Sequence, residues 1–126
     1  MGTRTPGPVV LDAGGLIALE RGDRRVLALL AETSRVVVPA GVVAQTWRGS
    51  ARQARAARIL NAPETEVEAL DDNTARAVGV FCGATDTGDV VDASVALAGR
   101  RHGAVVLTSD PADLVRLDPT LDLHRC

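Results

Sequence analysis

Lysine is absent: all 14 basic residues of the 126-residue chain are arginine. That removes chemistry built on an ammonium group, namely the P-loop phosphate contact, Schiff-base formation and the kinase phosphate pair. It also argues against phosphorelay receiver domains, which have a similar size and use a lysine beside their phospho-accepting aspartate. Tyrosine is absent too, and there is one Trp and one Phe, so stacking on aromatic platforms cannot be the main grip on a nucleic acid. The only cysteines are Cys82 and Cys126, which form neither a disulfide framework nor a zinc spacing and fit a reducing compartment. No segment approaches the ~18 apolar residues of a membrane span. Met1 to Pro8 has no apolar run and does not read as a secretory signal. The expectation is a cytoplasmic protein with no membrane partner. A net charge of −2 excludes the overall basic field of non-specific nucleic-acid binders, so any such contact must be local.

What is present is an ordinary globular composition, 46% apolar, in a length that suits one domain over residues 1–126. Short β-branched runs alternate with helical segments. Strands are expected at Pro8–Leu11, Arg35–Val38, Glu66–Leu70, Ala104–Thr108 and, weakly, Leu121–Leu123. Helices are expected at Ala13–Glu20, after an Asp23 cap to about Glu32, at Ala40–Trp47, and over Ala51–Leu60 behind Gly49 and Ser50. Further helices follow Asp71 or Asp72 to about Cys82, Asp89 or Val90 to about Arg101, and Pro111 to Leu117, with Gly83–Gly88 read as a loop. Such alternation implies a three-layer α/β/α domain with a mostly parallel sheet of about five strands. In such sheets ligands bind beyond the carboxyl ends of the strands.

The residues expected there are aspartates. Asp12 directly follows the first strand. Asp110 follows the Ala104–Thr108 strand by one serine, and Asp113 lies one helical turn further on. Asp89 and Asp92 repeat that i, i+3 spacing at another helix start. Aspartate is also a preferred N-cap, so any one of these residues can be a cap alone; the group is harder to dismiss. Crowded carboxylates repel one another unless a cation intervenes. Mg²⁺ suits them, because it takes hard oxygen ligands and uses one or two carboxylates with water and phosphate oxygens. A metal-bound water attacking a phosphodiester needs no His, Lys or Cys. Neither His102 nor His124 has an evident Ser or Cys partner for a triad.

Elsewhere, Arg48, Arg52, Arg55 and Arg58 recur every three or four residues. They form a candidate basic ridge for RNA phosphates or an acidic protein segment, or else a solvated helix face. Trp47 reads as a core or interface residue, His102 as a surface residue or helix-end cation, and Cys82 as core. Leu27, Leu29 and Leu30 make their helix apolar on more than one side. That fits either double-sided burial or a groove for a partner helix.

Three segments together resemble the PIN-domain nucleases, in particular the VapC-type toxins of bacterial toxin–antitoxin pairs. They are Val9-Val10-Leu11-Asp12-Ala13-Gly14-Gly15-Leu16-Ile17-Ala18-Leu19, Asp89-Val90-Val91-Asp92-Ala93 running on to Arg101-His102-Gly103-Ala104, and Val105-Val106-Leu107-Thr108-Ser109-Asp110-Pro111-Ala112-Asp113-Leu114. The resemblance implies a Mg²⁺- or Mn²⁺-dependent endoribonuclease that leaves a 5′-phosphate and a 3′-hydroxyl. It also implies a homodimer and a small antitoxin partner. By position it makes Asp12, Asp92, Asp110 and Asp113 the metal-binding acids, with Asp89 a further candidate and Thr108 or Ser109 the neighbouring hydroxyl. Gln45 stands where the family commonly has Glu. It can hydrogen-bond a water but carries no charge, which opens a second reading: a PIN fold that binds RNA or an antitoxin without turnover. A DNA-directed nuclease would share the same chemistry.

Overall fold

The computed structural model describes residues 7–126; the reading of Met1 to Pro8 falls mostly outside them. Five strands, β1 (Val9–Leu11), β2 (Val36–Pro39), β3 (Thr65–Glu68), β4 (Val105–Thr108) and β5 (Asp122–Arg125), form one sheet in the order β3-β2-β1-β4-β5. Every pairing is parallel. The three central strands are short Val-rich runs because both of their faces are covered. Val10, Val37, Val38 and Val106 have no exposed surface, and each buried side chain of this kind stabilises the fold by about 1.5–2 kcal/mol. The edge strands β3 and β5 are the polar ones, TEVE and DLHR.

On one face α1 (Ala13–Glu20) packs against α2 (Arg24–Glu32) and α4 (Ala54–Leu60). On the other, α6 (Val90–His102) crosses the sheet between α5 (Asp72–Thr85) and α7 (Pro111–Leu117). The helix α3 (Ala40–Thr46) follows β2 directly and touches both α1 and α6. The chain steps outward from β1 to β2 and β3, then crosses back to β4 and on to β5. The strand order therefore reverses between β1 and β4, and their carboxyl ends flank the crevice where such sheets bind ligands.

Asp23 and Asp71 cap α2 and α5, accepting bonds from Val26 N and Thr74 N. Gly103 closes α6 at φ 58°, the left-handed conformation glycine adopts without penalty. Among the described residues no helix is long and apolar enough to cross a membrane.

Three expectations need correction. The 83–88 stretch is not all loop: α5 runs through Gly83 to Thr85, where the Thr85 hydroxyl bonds the Phe81 carbonyl and Asp86 terminates the helix at φ 54°. The 51–60 helix is broken into a 3₁₀ turn, Ala51–Gln53, and α4. The buried Gln53 side chain causes the break, accepting from Arg48 N and Gly49 N and donating to the Thr46 carbonyl at the end of α3. Of the two places expected for Trp47, core or interface, the core is excluded, since the residue is 40% exposed at the end of α3.

Candidate active site

Asp12 is the first residue beyond β1 and the N-cap of α1. Its Oδ1 accepts from Gly15 N at 2.8 Å. Asp12 is 8% exposed because α1 leaves the sheet pressed against the end of β4. A Cβ on Gly14 would lie 2.0 Å from Ser109 Oγ and 2.9 Å from Ser109 N, and one on Gly15 would lie 2.7 Å from the Leu107 carbonyl oxygen. Only a pair of glycines permits that approach. Adjacent glycines shortly after a strand-ending acid are the sequence signal of that packing.

Thr108, the last residue of β4, is fully buried. Its hydroxyl bonds the Asp12 carboxylate and accepts from Asp110 N at 3.0 Å. Of the two candidate hydroxyls, Thr108 is thus the one joined to Asp12, while the exposed Ser109 packs on Gly14. Asp110 occupies the N-cap position of α7, but its side chain makes no capping bond. Capping therefore does not account for its carboxylate. Asp89, by contrast, does cap: its Oδ1 accepts from Asp92 N at 2.9 Å at the start of α6. Asp113, in the first turn of α7, is ion-paired with Arg116 one turn on.

The charges show how close these acids come. Burial pushes the Asp12 carboxyl above the usual aspartate range against the hydrogen bonds from Thr108, Gly15 and Gly14, and the charge of Asp110 adds to the rise. Burial and the charges of Asp89, Asp113 and Asp12 push Asp92 up to about 6. Asp12 therefore senses Asp110, and Asp92 senses the other three. Asp92 is thus coupled to Asp89, Asp113 and Asp12, and Asp12 to Asp110, at the carboxyl ends of β1 and β4 and the start of α6. An open cleft of about 280 Å³ runs over Asp89, Asp92, Asp113 and Arg116.

This is electrostatic range, not a preformed coordination cage. Among the described residues no three His, Cys, Asp or Glu side chains are placed to hold one metal ion. The donor chemistry nevertheless fits Mg²⁺ or Mn²⁺: all five side chains offer hard oxygens, and such ions bind proteins through one or two carboxylates and keep their waters. The elevated Asp12 and Asp92 gain most from a cation, since each is held in its charged form at a cost.

The remaining candidates fall outside this group. Gln45 is exposed on α3 and, among the described residues, has no hydrogen bond to the aspartates. The arginines do not form one ridge, because Arg48 lies in the loop that Gln53 holds and its guanidinium bonds the Trp47 carbonyl. Arg55 reaches the Glu20 carbonyl at the end of α1, opposite the end that carries Asp12. Arg52 is exposed in the 3₁₀ turn. With Leu19, Leu27 and Ile59, Arg55 and Arg58 line a mostly apolar groove of about 330 Å³. Leu29 and Leu30 pack on the core, while Leu27 stays 38% exposed. His102 is the last residue of α6, at the helix end expected for it, and its Nε2 lies 2.8 Å from Glu68 Oε2 with both side chains largely covered. Cys82 packs on the core as expected. Cys126 was not expected near the site, yet burial and the charges of Asp12 and Asp23 raise its thiol pKa, and its backbone N donates to the Thr108 carbonyl.

By sequence, the PIN domain family matches residues 9–118. No curated protein matches by sequence. Two solved structures resemble the fold over nearly its whole length. One is FitAB bound to an IR36 DNA fragment, with TM-score 0.61, 16% identity, and 93% of this chain and 94% of that one covered. The other is VapBC2 from Rickettsia felis bound to a DNA fragment from their promoter, with TM-score 0.67, 16% identity, and 94% and 98% covered.

Proposed function

The chain belongs to the PIN-domain family, and from that premise we propose that it is a Mg²⁺- or Mn²⁺-dependent endoribonuclease, the toxin of a toxin–antitoxin pair. The observation that carries the reading is the placing of Asp12 and Asp92 at the reversal of strand order, where burial and the neighbouring charges of Asp110, Asp89 and Asp113 raise both carboxyls. Asp12 is buried and Asp92 half-buried, and a carboxylate covered beside other acids costs free energy until a cation neutralises it.

In this reading Asp12 and Asp92 would hold the cation, with Asp113 as a further ligand and Asp110 completing the negative field. The ion supplies an activated water and neutralises charge on the phosphodiester when bound. Thr108 bonds the Asp12 carboxylate and ties its position to the backbone of Asp110. Asp89 fixes the first turn of α6 and so the height of Asp92. Arg52 and Arg48 remain candidates for RNA phosphates. Arg55, turned to the end of α1, belongs to the antitoxin side instead. There the groove of Leu19, Leu27 and Ile59, rimmed by Arg55 and Arg58, suits an apolar helix carrying acidic residues. A homodimer in the cytoplasm is part of the same reading, and sedimentation equilibrium tests the dimer.

Cleavage of single-stranded RNA should require Mg²⁺ or Mn²⁺, stop on adding EDTA, and be lost in Asp12→Asn. Robust cleavage in EDTA would overturn the mechanism, and digestion of DNA but not RNA alongside would overturn the substrate class. The second reading, a binding module without turnover, is favoured by an uncharged Gln45 that bonds none of the acids. Calorimetry separates the two: no heat with millimolar Mn²⁺ would favour the module.

A further inference from the structure

The cleft over the acids contains one cation. Arg116 lines it with Asp89, Asp92 and Asp113, and its Nη2 is bonded to Asp113 Oδ1. The pair is formed within one turn of α7 and is open to water, with the Arg116 side chain 77% exposed. Exposed pairs of this kind are weak and readily exchanged. Elsewhere on the surface such a pair would have no consequence. Here its acid is one of the charges that Asp92 feels, and both partners line the cleft that also holds Asp89 and Asp92.

Resting on the nuclease reading above, we propose that Arg116 is a substrate-sensing positioning residue: it occupies Asp113 until a phosphate of the RNA draws the guanidinium away and frees Asp113 for the metal. The exchange is chemically favourable. A guanidinium forks onto two phosphate oxygens, and a carboxylate so released gains a divalent cation for a monovalent one. No bond is made or broken covalently. The site would then assemble fully only on a phosphodiester, which limits idle metal binding by the free protein.

The two functions of Arg116 predict opposite signs. In Arg116→Ala, Mn²⁺ binding to the RNA-free protein, measured by calorimetry, should tighten about threefold, because Asp113 is no longer occupied. The KM for a mixed-sequence single-stranded RNA should meanwhile rise roughly tenfold, for loss of a charged phosphate contact, with kcat little changed. Arg116→Lys should keep wild-type Mn²⁺ affinity and give an intermediate KM. In an Asp113→Asn background Arg116→Ala should no longer move Mn²⁺ affinity. If wild type binds Mn²⁺ and cleaves RNA but Arg116→Ala leaves metal affinity unchanged or weaker, this proposal fails and the nuclease reading stands. Wild type that neither binds Mn²⁺ nor cleaves overturns both. Should Arg116→Ala lose its fold, as circular dichroism would show, Arg116→Lys and Arg116→Gln carry the same comparison.

Discussion

Replacing Asp92 by asparagine should make the metal-free protein more stable at neutral pH. Burial and three neighbouring aspartates push this carboxyl from 3.8 up to about 6. An acid whose pKa is raised on folding binds its proton more tightly in the native state. At low pH, below both values, both states are protonated and nothing is lost. As pH climbs from about 4 to about 6 the unfolded chain ionises more readily than the native one, and stability falls. Above pH 6 the full penalty is present. A gap of about two pH units corresponds to about 3 kcal/mol, at about 1.36 kcal/mol per unit. Asp92 is partly open to solvent, so screening should reduce this to about 1–2 kcal/mol. Asparagine keeps the shape and removes the charge. In EDTA at pH 7.5, Asp92→Asn should therefore melt roughly 4–8 °C above wild type for a domain of this size. At pH 4 the gain should disappear. Mn²⁺ without EDTA should stabilise wild type more than the variant. A variant that is less stable at pH 7.5, or equally stabilised at both pH values, would refute the claim that crowded negative charge is stored at this position.

Two further outcomes follow from packing. Gly14→Ala places a methyl group against Ser109 Oγ, Cβ and backbone N, so it should cost about 1–3 kcal/mol in urea unfolding. Ser109→Ala should rescue little of that loss, since the Cβ and the backbone N remain. Arg100 donates to the buried Asp118 and stacks over Phe81 at 5.2 Å. Arg100→Ala should cost about 2 kcal/mol by leaving a covered carboxylate short of a charged donor. Equal melting temperatures for Arg100→Ala and wild type would show that the bonds from Thr120 to Asp118 suffice.

Some of this protein is legible residue by residue. Short Val-rich runs between capped helices can only be a parallel sheet covered on both faces, and Asp12 and Asp110 stand where strands end because each directly follows or nearly follows such a run. Caps are equally local: Asp23, Asp71 and Asp89 satisfy the first amides of their own helices. Gly83 misled because glycine is a weak helix former, at about 1 kcal/mol, a cost that a helix anchored by buried Val78 and Phe81 absorbs. Gln53 misled because a helix-compatible residue gave no sign that its side chain would turn to hold the end of another helix.

Spacing along the chain determined which groups could act: acids at strand and helix ends, and no lysine or tyrosine to act in their place. Strand order alone decided which of them meet. By setting β1 beside β4 and sending α6 across both, the sheet brings Asp12 within reach of Asp92 and Asp110, and it buries Thr108 between two acids. The same holds for His102 and Glu68, which are 34 residues apart in sequence and in contact in space. Hydrogen bonds and charge act over a few ångströms, and that distance has no counterpart in a linear pattern until the chain has folded back on itself.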